Sequence, residues 1–186
     1  MKIILIRHGE THANKNPAKP STLTTKGKNQ VDALARRLKN CGIDAIWSST
    51  LERALVTAKE LHKFNKKAKF FETDELHEIY GFIIGGPEKD NTRPNRYDED
   101  LKRAESFWKK MIKWKYNKVA VVCHGYIIRF FIAKVLEMPI KNAYRIKTHN
   151  ASVSIIEIRG NEKKLLRVND VEHITKKLIS SESGRI

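Results

Sequence analysis

Residues 2–10 read Lys2-Ile3-Ile4-Leu5-Ile6-Arg7-His8-Gly9-Glu10. Lys2–Ile6 is a short, β-branched apolar run without alternation. Such a run is a strand covered on both faces, the pattern of a parallel sheet. It gives way at once to a charged tetrapeptide whose glycine permits a tight turn. The layout returns at 119–125, where Val119-Ala120-Val121-Val122-Cys123 runs into His124-Gly125. Segments of helical period lie between. Val31, Leu34, Ala35 and Leu38 recur at i, i+3, i+4 and i+7 within Gly27–Leu38. Leu51, Ala54, Leu55, Ala58 and Leu61 mark a second helix, and Ser49-Thr50-Leu51-Glu52 has capping-box spacing at its start. Ile43–Trp47 and Lys69–Glu72 read as further strands. Leu101, Ala104, Trp108, Met111 and Ile112 share one helical face, and Gly125–Leu136 turns Ile128, Phe131, Ile132 and Val135 inward before Pro139. Val153–Ile158 and Leu165–Val168 flank Gly160-Asn161 as an antiparallel hairpin. This alternation predicts an α/β fold: three α/β/α layers, a mostly parallel sheet and an antiparallel C-terminal edge.

Composition narrows the classes. The 186 residues suit one domain, 1–186, and a 40% hydrophobic share supports a substantial core. No apolar run approaches the ~18–20 residues of a membrane span, and the first residues hold too short an apolar stretch for a secretory leader. Cys41 and Cys123 stand far apart without a C-x-x-C, which suggests neither a disulfide framework nor a zinc site. The expectation is a cytoplasmic protein; nothing in the sequence fixes an oligomeric state. Lysine and arginine number 37 against 21 acidic residues, a net charge of +16. That excess points to anionic partners, phosphorylated metabolites or nucleic acid. The run Phe107–Tyr116 interleaves lysines with aromatics. An amphipathic helix with solvated lysines accounts for it more simply than a nucleic-acid surface.

Ligands of a parallel sheet bind at the carboxyl ends of its strands. The first strand ends in Arg7-His8-Gly9-Glu10, the second leads through Ser48-Ser49 to Arg53, and the strongest ends in His124-Gly125. The topology therefore gathers two histidines and two arginines on one edge, beside helix N-termini. Guanidinium forks, imidazoles and free amides make an anion site suited to a phosphoryl group. A neutral imidazole nitrogen attacks phosphorus, and arginines compensate the equatorial charge. A leaving alkoxide needs a proton, so a carboxylic acid belongs nearby. Glu78, then Glu88, are the candidates, at the start of a Gly/Pro/Asn/Asp-rich loop over 77–100. Its 79–98 portion, with Arg93 and Arg96, is expected to border the site.

Several blocks resemble one family. Arg7-His8-Gly9-Glu10-Thr11 with Asn14 is similar to the RHGE(T/S)xxN signature of the histidine phosphatase superfamily, the phosphoglycerate-mutase-like proteins. Leu23-Thr24-Thr25-Lys26-Gly27-Lys28-Asn29-Gln30 resembles its LTxxGxxQ helix start. Ser48–Ala54 with Thr57-Ala58, Leu76-His77-Glu78, Val121–Gly125 with Ile128-Arg129, Asn150–Val153 and Asn169–His173 follow in order. The resemblance implies His8 as the phospho-accepting nucleophile and Arg7, Asn14, Arg53, His124 and the Gly125 backbone as holders of the phosphoryl oxygens. It implies Glu78 as general acid, then base, with no cofactor or metal. Its expectation is a phosphomonoester phosphatase acting on a small phosphorylated metabolite.

The phosphatase-type block L-x-E-x-x-x-G-x-W-E-G appears with its first glycine one place early, at Gly81, and without Trp-Glu. The mutase block E-R-H-Y-G is absent, which favours a phosphatase over a phosphoglycerate or phosphosugar mutase. A catalytically weak polyanion- or nucleic-acid-binding protein on the same fold is the reading of a different class. Arg129 is expected on a helix face rather than in the site. His12, His62, His77, His149 and His173 read as surface or structural, and Cys123 as a buried strand residue.

Overall fold

The computed structural model describes residues 1–15, 21–80, 82–83, 86–87 and 97–180; the side chains of 14, 15, 82, 83, 86 and 87 fall outside that description. In chain order the elements are β1 (Lys2–Arg7), α1 (His12–Lys15), α2 (Thr25–Arg37), β2 (Ala45–Ser49), α3 (Glu52–Lys63), β3 (Lys69–Thr73), β4 (Phe82–Ile83), β5 (Gly86–Pro87), α4 (Tyr97–Met111), β6 (Lys118–Cys123), α5 (Gly125–Val135), β7 (Val153–Arg159) and β8 (Glu162–Asp170). Short 3₁₀ turns occupy Asp74–Leu76, Ile140–Arg145 and Lys176–Leu178.

The main sheet has six strands in the order β3-β2-β6-β1-β7-β8. β3, β2, β6 and β1 run parallel, while β7 pairs antiparallel with β1 and with β8. The expected architecture is the one observed. Side chains of a strand alternate between faces, and both faces here are covered. Ile3, Leu5, Val119, Val121 and Cys123 pack with α4 and α5, through Phe107, Trp108, Met111, Ile127 and Phe131. Ile4, Ile6, Ile46, Ala120 and Val122 pack with α2 and α3, through Leu34, Ala54, Ala58 and Leu61. This two-sided cover is why β1 and β6 are apolar throughout.

Three boundaries differ from the sequence reading. α2 starts at Thr25, capped by Thr24, whose hydroxyl accepts the Gly27 amide at 2.9 Å. The final strand, β8, extends from Glu162 to Asp170, well beyond Leu165–Val168. α4 begins at Tyr97, so its first turn takes in residues expected in the 77–100 loop. Asp98, Glu99 and Asp100 fill that turn, where acidic side chains favour a helix N-terminus. The aromatics of 107–116 face inward. Phe107 and Trp108 are buried, and Trp114 stacks on Trp47 with ring centroids 4.8 Å apart.

The loop after β1 packs directly on α2 through two glycines. A Cβ at Gly27 would lie 2.0 Å from the Glu10 carbonyl oxygen, and one at Gly9 would lie 2.7 Å from the Gly27 oxygen and the Val31 side chain. The obstacles at Gly27 are all backbone atoms of Glu10. Alanine there would gain about 1 kcal/mol of helix propensity, but forcing apart a rigid contact of this kind costs roughly 1–3 kcal/mol or more. The clash dominates. Gly27→Ala is expected to lower the thermal midpoint, read by a circular dichroism melt; an unchanged or raised midpoint would contradict the packing described.

Candidate active site

The parallel pairing of β1 with β6 aligns Arg7 with Cys123, so the residues that follow, His8 and His124, emerge side by side at the carboxyl edge. Their rings lie 5.2 Å apart, about one strand spacing. β2 flanks β6 on the other side, with Ser48 opposite Val122, and delivers Ser49 to the same edge. The segment before β7 supplies the far wall. The His8 carbonyl accepts the Ala151 amide and the Asn150 side-chain amide, each at 3.1 Å, and Ser152 O accepts the Arg7 amide at 3.2 Å.

The tautomer of His8 follows from its partners. Nδ1 contacts the Gly9 carbonyl at 2.8 Å, and a carbonyl only accepts, so Nδ1 carries the proton. Arg53 donates its Nε–H to His8 Nε2 at 3.2 Å, so Nε2 presents a lone pair. His8 is buried at 3% exposure. Burial, then the charges of Arg7 and Arg53, hold its pKa well below the ordinary imidazole value. A neutral ring with Nε2 free of its proton is the nucleophilic form. Arg53 stands in the first turn of α3, and Thr57, one turn on, donates to the Arg53 carbonyl at 2.8 Å and accepts the Gly9 amide at 3.3 Å. Thr57 thereby ties α3 to the loop that carries the nucleophile.

His124 is fully buried. Its Nε2 pairs with Ser49 Oγ at 2.9 Å. Burial, and the neighbouring His8 and Arg53, push its pKa well below the usual range. This bond corrects the capping-box expectation. Ser49 ends β2, the N-cap of α3 is Leu51, and the serine hydroxyl is engaged by His124 and by the Leu51 amide at 3.3 Å. Arg7 donates Nη1 to the Thr148 carbonyl. Burial brings its pKa down to about 10, against the opposing pull of Glu78. A Cβ at Gly125 would sit 3.4 Å from Thr148 Oγ1 and 3.5 Å from Arg7 Nε. Those two atoms are buried without a hydrogen-bond partner, as is His124 Nδ1. Buried polar groups are nearly always paired, so the unpaired Arg7 and Thr148 atoms meeting at Gly125 mark a place where a polar ligand completes them.

Glu78 follows the 3₁₀ turn Asp74–Leu76 and reaches α5. Its Oε1 accepts the amides of Ile79, Tyr126 and Ile127 at 3.1, 3.0 and 3.2 Å. α5 has no cap from its own N-cap residue, His124, so this carboxyl caps it. With Oε1 taken by three amides, Oε2 is the oxygen left to carry the proton when the group is protonated. Burial raises the Glu78 pKa, and Arg7 draws it partly back.

The structure thus brings Arg7, His8, Arg53, Glu78, His124 and Gly125 together. Asn14 lies on α1, and its side chain is outside the described residues, as are Glu88, Arg93, Arg96 and most of 79–98. Arg129, expected on a helix face, lies one turn into α5, its guanidinium 4.9 Å from the Tyr126 ring centre and its charge felt by Arg7. The sequence reading gave Ser49 only a capping role and assigned none to Thr57, Thr148, Asn150 or Arg103. Ser49, Thr57 and Asn150 fell within blocks of family resemblance; Thr148 and Arg103 carried no signal. Cys123 is buried in β6 with its thiol pushed up by burial, as befits a packing residue. Among the described residues no cluster of histidine, cysteine, aspartate or glutamate could hold a metal ion, and no helix is long and apolar enough to cross a membrane.

A sequence profile of the histidine phosphatase superfamily (branch 1) matches residues 3–171, nearly the whole chain. The chain belongs to that superfamily. Among curated proteins it is 27% identical over 175 residues to the mouse mitochondrial serine/threonine-protein phosphatase PGAM5, covering 89% of this chain and 60% of that protein. It is 29% identical over 189 residues to Pgam5 of Caenorhabditis briggsae, covering 96% and 66%. It therefore spans about two thirds or less of these relatives. Solved structures share the fold. The alpha-ribazole phosphatase of Shigella flexneri superposes with a TM-score of 0.77 at 23% identity, over 92% of this chain and 97% of that one. Phosphoserine phosphatase from Entamoeba histolytica, in complex with 3-phosphoglyceric acid, gives 0.74 at 24%, over 92% and 98%.

The buried histidines set the acid response of the fold. Below the ordinary imidazole pKa of about 6.5 the unfolded chain binds protons that folded His8 and His124 refuse. Stability is expected to fall as pH drops below about 6.5. Asp170, held low by its hydrogen bond to Arg37, adds a further loss near and below the ordinary carboxylate range. Urea denaturation at pH 7.5 and pH 5 reads this directly; equal midpoints, or a higher one at pH 5, would contradict it.

Proposed function

We propose that this protein is a phosphoric monoester hydrolase that works through a phosphohistidine on His8 and takes a small phosphorylated metabolite as substrate. The observation that carries the reading is the fixed tautomer of His8, its Nε2 lone pair directed at Arg53 beside the unpaired Arg7, Thr148 and His124 atoms. Arg7, Arg53, His124 and the Gly125 backbone amide at the start of α5 receive the phosphoryl oxygens. His8 Nε2 attacks phosphorus as the ester P–O bond breaks, and Glu78 Oε2 gives its proton to the departing alkoxide. Glu78, now a carboxylate, takes a proton from water while the water oxygen attacks phosphorus. The P–N bond breaks, inorganic phosphate leaves, and His8 and Glu78 return to their starting forms. Two arginines compensate the transferring charge, so the reaction requires no metal in this reading. The small-substrate assignment is supported by fold neighbours named as a phosphoserine phosphatase and an alpha-ribazole phosphatase.

The test is hydrolysis of 4-nitrophenyl phosphate in EDTA by wild type and His8→Ala. Wild type is expected to turn over and His8→Ala to lose about a thousandfold or more. An inert wild type on this and on a metabolite panel, or equal activity of the two proteins, would refute the reading. Gly125→Ala is expected to raise KM for substrate and the inhibition constant of inorganic phosphate, because its methyl group would enter the space between Arg7 and Thr148. An unchanged phosphate inhibition constant would show that the oxygens bind elsewhere.

A further inference from the structure

Glu78 belongs to a stretch, residues 77–80, that lies in no helix or strand. A general acid has to hold its proton within hydrogen-bond reach of the leaving oxygen, and a misplacement of about 1 Å costs ~100-fold. The carboxyl oxygen is fixed by α5, but the backbone behind it needs its own support. That support comes from α4. Arg103 Nη1 donates to the carbonyls of His77 at 2.8 Å and Glu75 at 3.0 Å, with a longer contact to Asp74 at 3.3 Å. Its Nη2 donates to the Glu78 carbonyl at 3.1 Å and to Asp100 Oδ1 at 2.6 Å. Asp100, one turn earlier on α4, accepts the Tyr80 amide on Oδ2 at 2.9 Å. The two side chains thus grip the chain on both sides of Glu78. They are largely shielded, 22% and 11% exposed, so their bonds are poorly replaced by water.

We propose that Arg103 and Asp100 form a positioning bracket that sets Glu78 in place for proton donation. The inference rests on Glu78 being the general acid of the proposed reaction. A guanidinium suits the task because its planar fork serves several carbonyls at once, which an ammonium on a flexible stem does not. The bracket lies behind the acid, so its loss acts on the protonation step and leaves the His8 attack and the phosphoryl cradle in place.

Leaving groups separate these effects. A nitrophenolate departs without a proton, whereas the alkoxide of an alkyl phosphate such as phosphoserine requires one. The measure is kcat/KM, which covers only the steps through phosphoryl transfer to His8. Arg103→Met is expected to lower kcat/KM for phosphoserine about 10- to 100-fold, within the range of general acid catalysis. For 4-nitrophenyl phosphate it is expected to lower it less than about threefold. Arg103→Lys is expected to recover part of the loss on phosphoserine. Should phosphoserine prove a poor substrate, glycerol 2-phosphate supplies the alkoxide. Equal losses on the alkyl and aryl substrates, or no loss on either, would overturn the bracket. If Arg103→Met does not fold, Arg103→Lys carries the test, since wild-type kcat/KM on both substrates would equally overturn it. Glu78→Gln is the reference: its amide oxygen can still take the α5 amides, but it donates no comparable acid proton. If Glu78→Gln shows no difference between alkyl and aryl substrates, the assignment of the acid fails. If Glu78→Gln shows the difference and Arg103→Met does not, only the bracket fails.

Discussion

The site depends on one backbone pairing, the parallel register of β1 with β6. Because Arg7 lies opposite Cys123, the next residue of each strand is a histidine, and the two imidazoles face one another. A slip of one position would turn the side chains of a strand to the opposite face. The register is held by the apolar side chains that both strands send to both layers, from Ile3 and Val119 on one side to Ile4 and Ala120 on the other. β6 enters late in the chain yet inserts between β1 and β2. That insertion brings residues 8, 49 and 124 to one rim.

What the pairing assembles is electrostatically uncomfortable. Arg7, Arg53 and Arg129 lie close enough for the latter two to depress the first, and Arg7 is itself held near 10 by burial. Glu78 is the acidic group that offsets Arg7, and burial raises its own pKa. Both histidines are kept neutral. A fold selected for stability alone would not gather these groups; a dianionic ligand reverses the balance, favouring each of the cations that burial and mutual repulsion oppose. Sites of this kind commonly trade stability for function. The neutral state of His8 is useful for the same reason, since a protonated imidazole cannot attack phosphorus.

The sequence made the strands and their order of use legible because the signal is local. An unbroken apolar run of four or five residues followed by His-Gly, directly or after one arginine, needs no tertiary information to be read, and it occurs twice. Arg53 was legible because a cation in the first turn of a helix runs against the helix dipole. Ser49 was misread for a tertiary reason: a serine three residues before a glutamate satisfies the local rule for a cap, but His124, 75 positions away, takes its hydroxyl. Thr148 and Arg103 were invisible because their contacts run through backbone carbonyls, which any sequence contains: Thr148 accepts Arg7 on its own, and Arg103 donates to those of the segment around Glu78. The first turn of α4 was hidden by the acidic and polar residues that make a good helix start and also resemble loop. The close approach of Gly27 to Glu10 likewise has no mark in the sequence beyond the glycine itself.

The central claim concerns a single atom, His8 Nε2. Phosphoenzyme trapped from wild-type protein labelled with ¹⁵N-histidine, and read by ³¹P–¹⁵N coupling, locates the phosphorus directly. The account predicts one phosphorylated imidazole, His8, coupled through Nε2 with Nδ1 still carrying its proton. Phosphorus on Nδ1, on His124 or on the sulfur of Cys123 would contradict it.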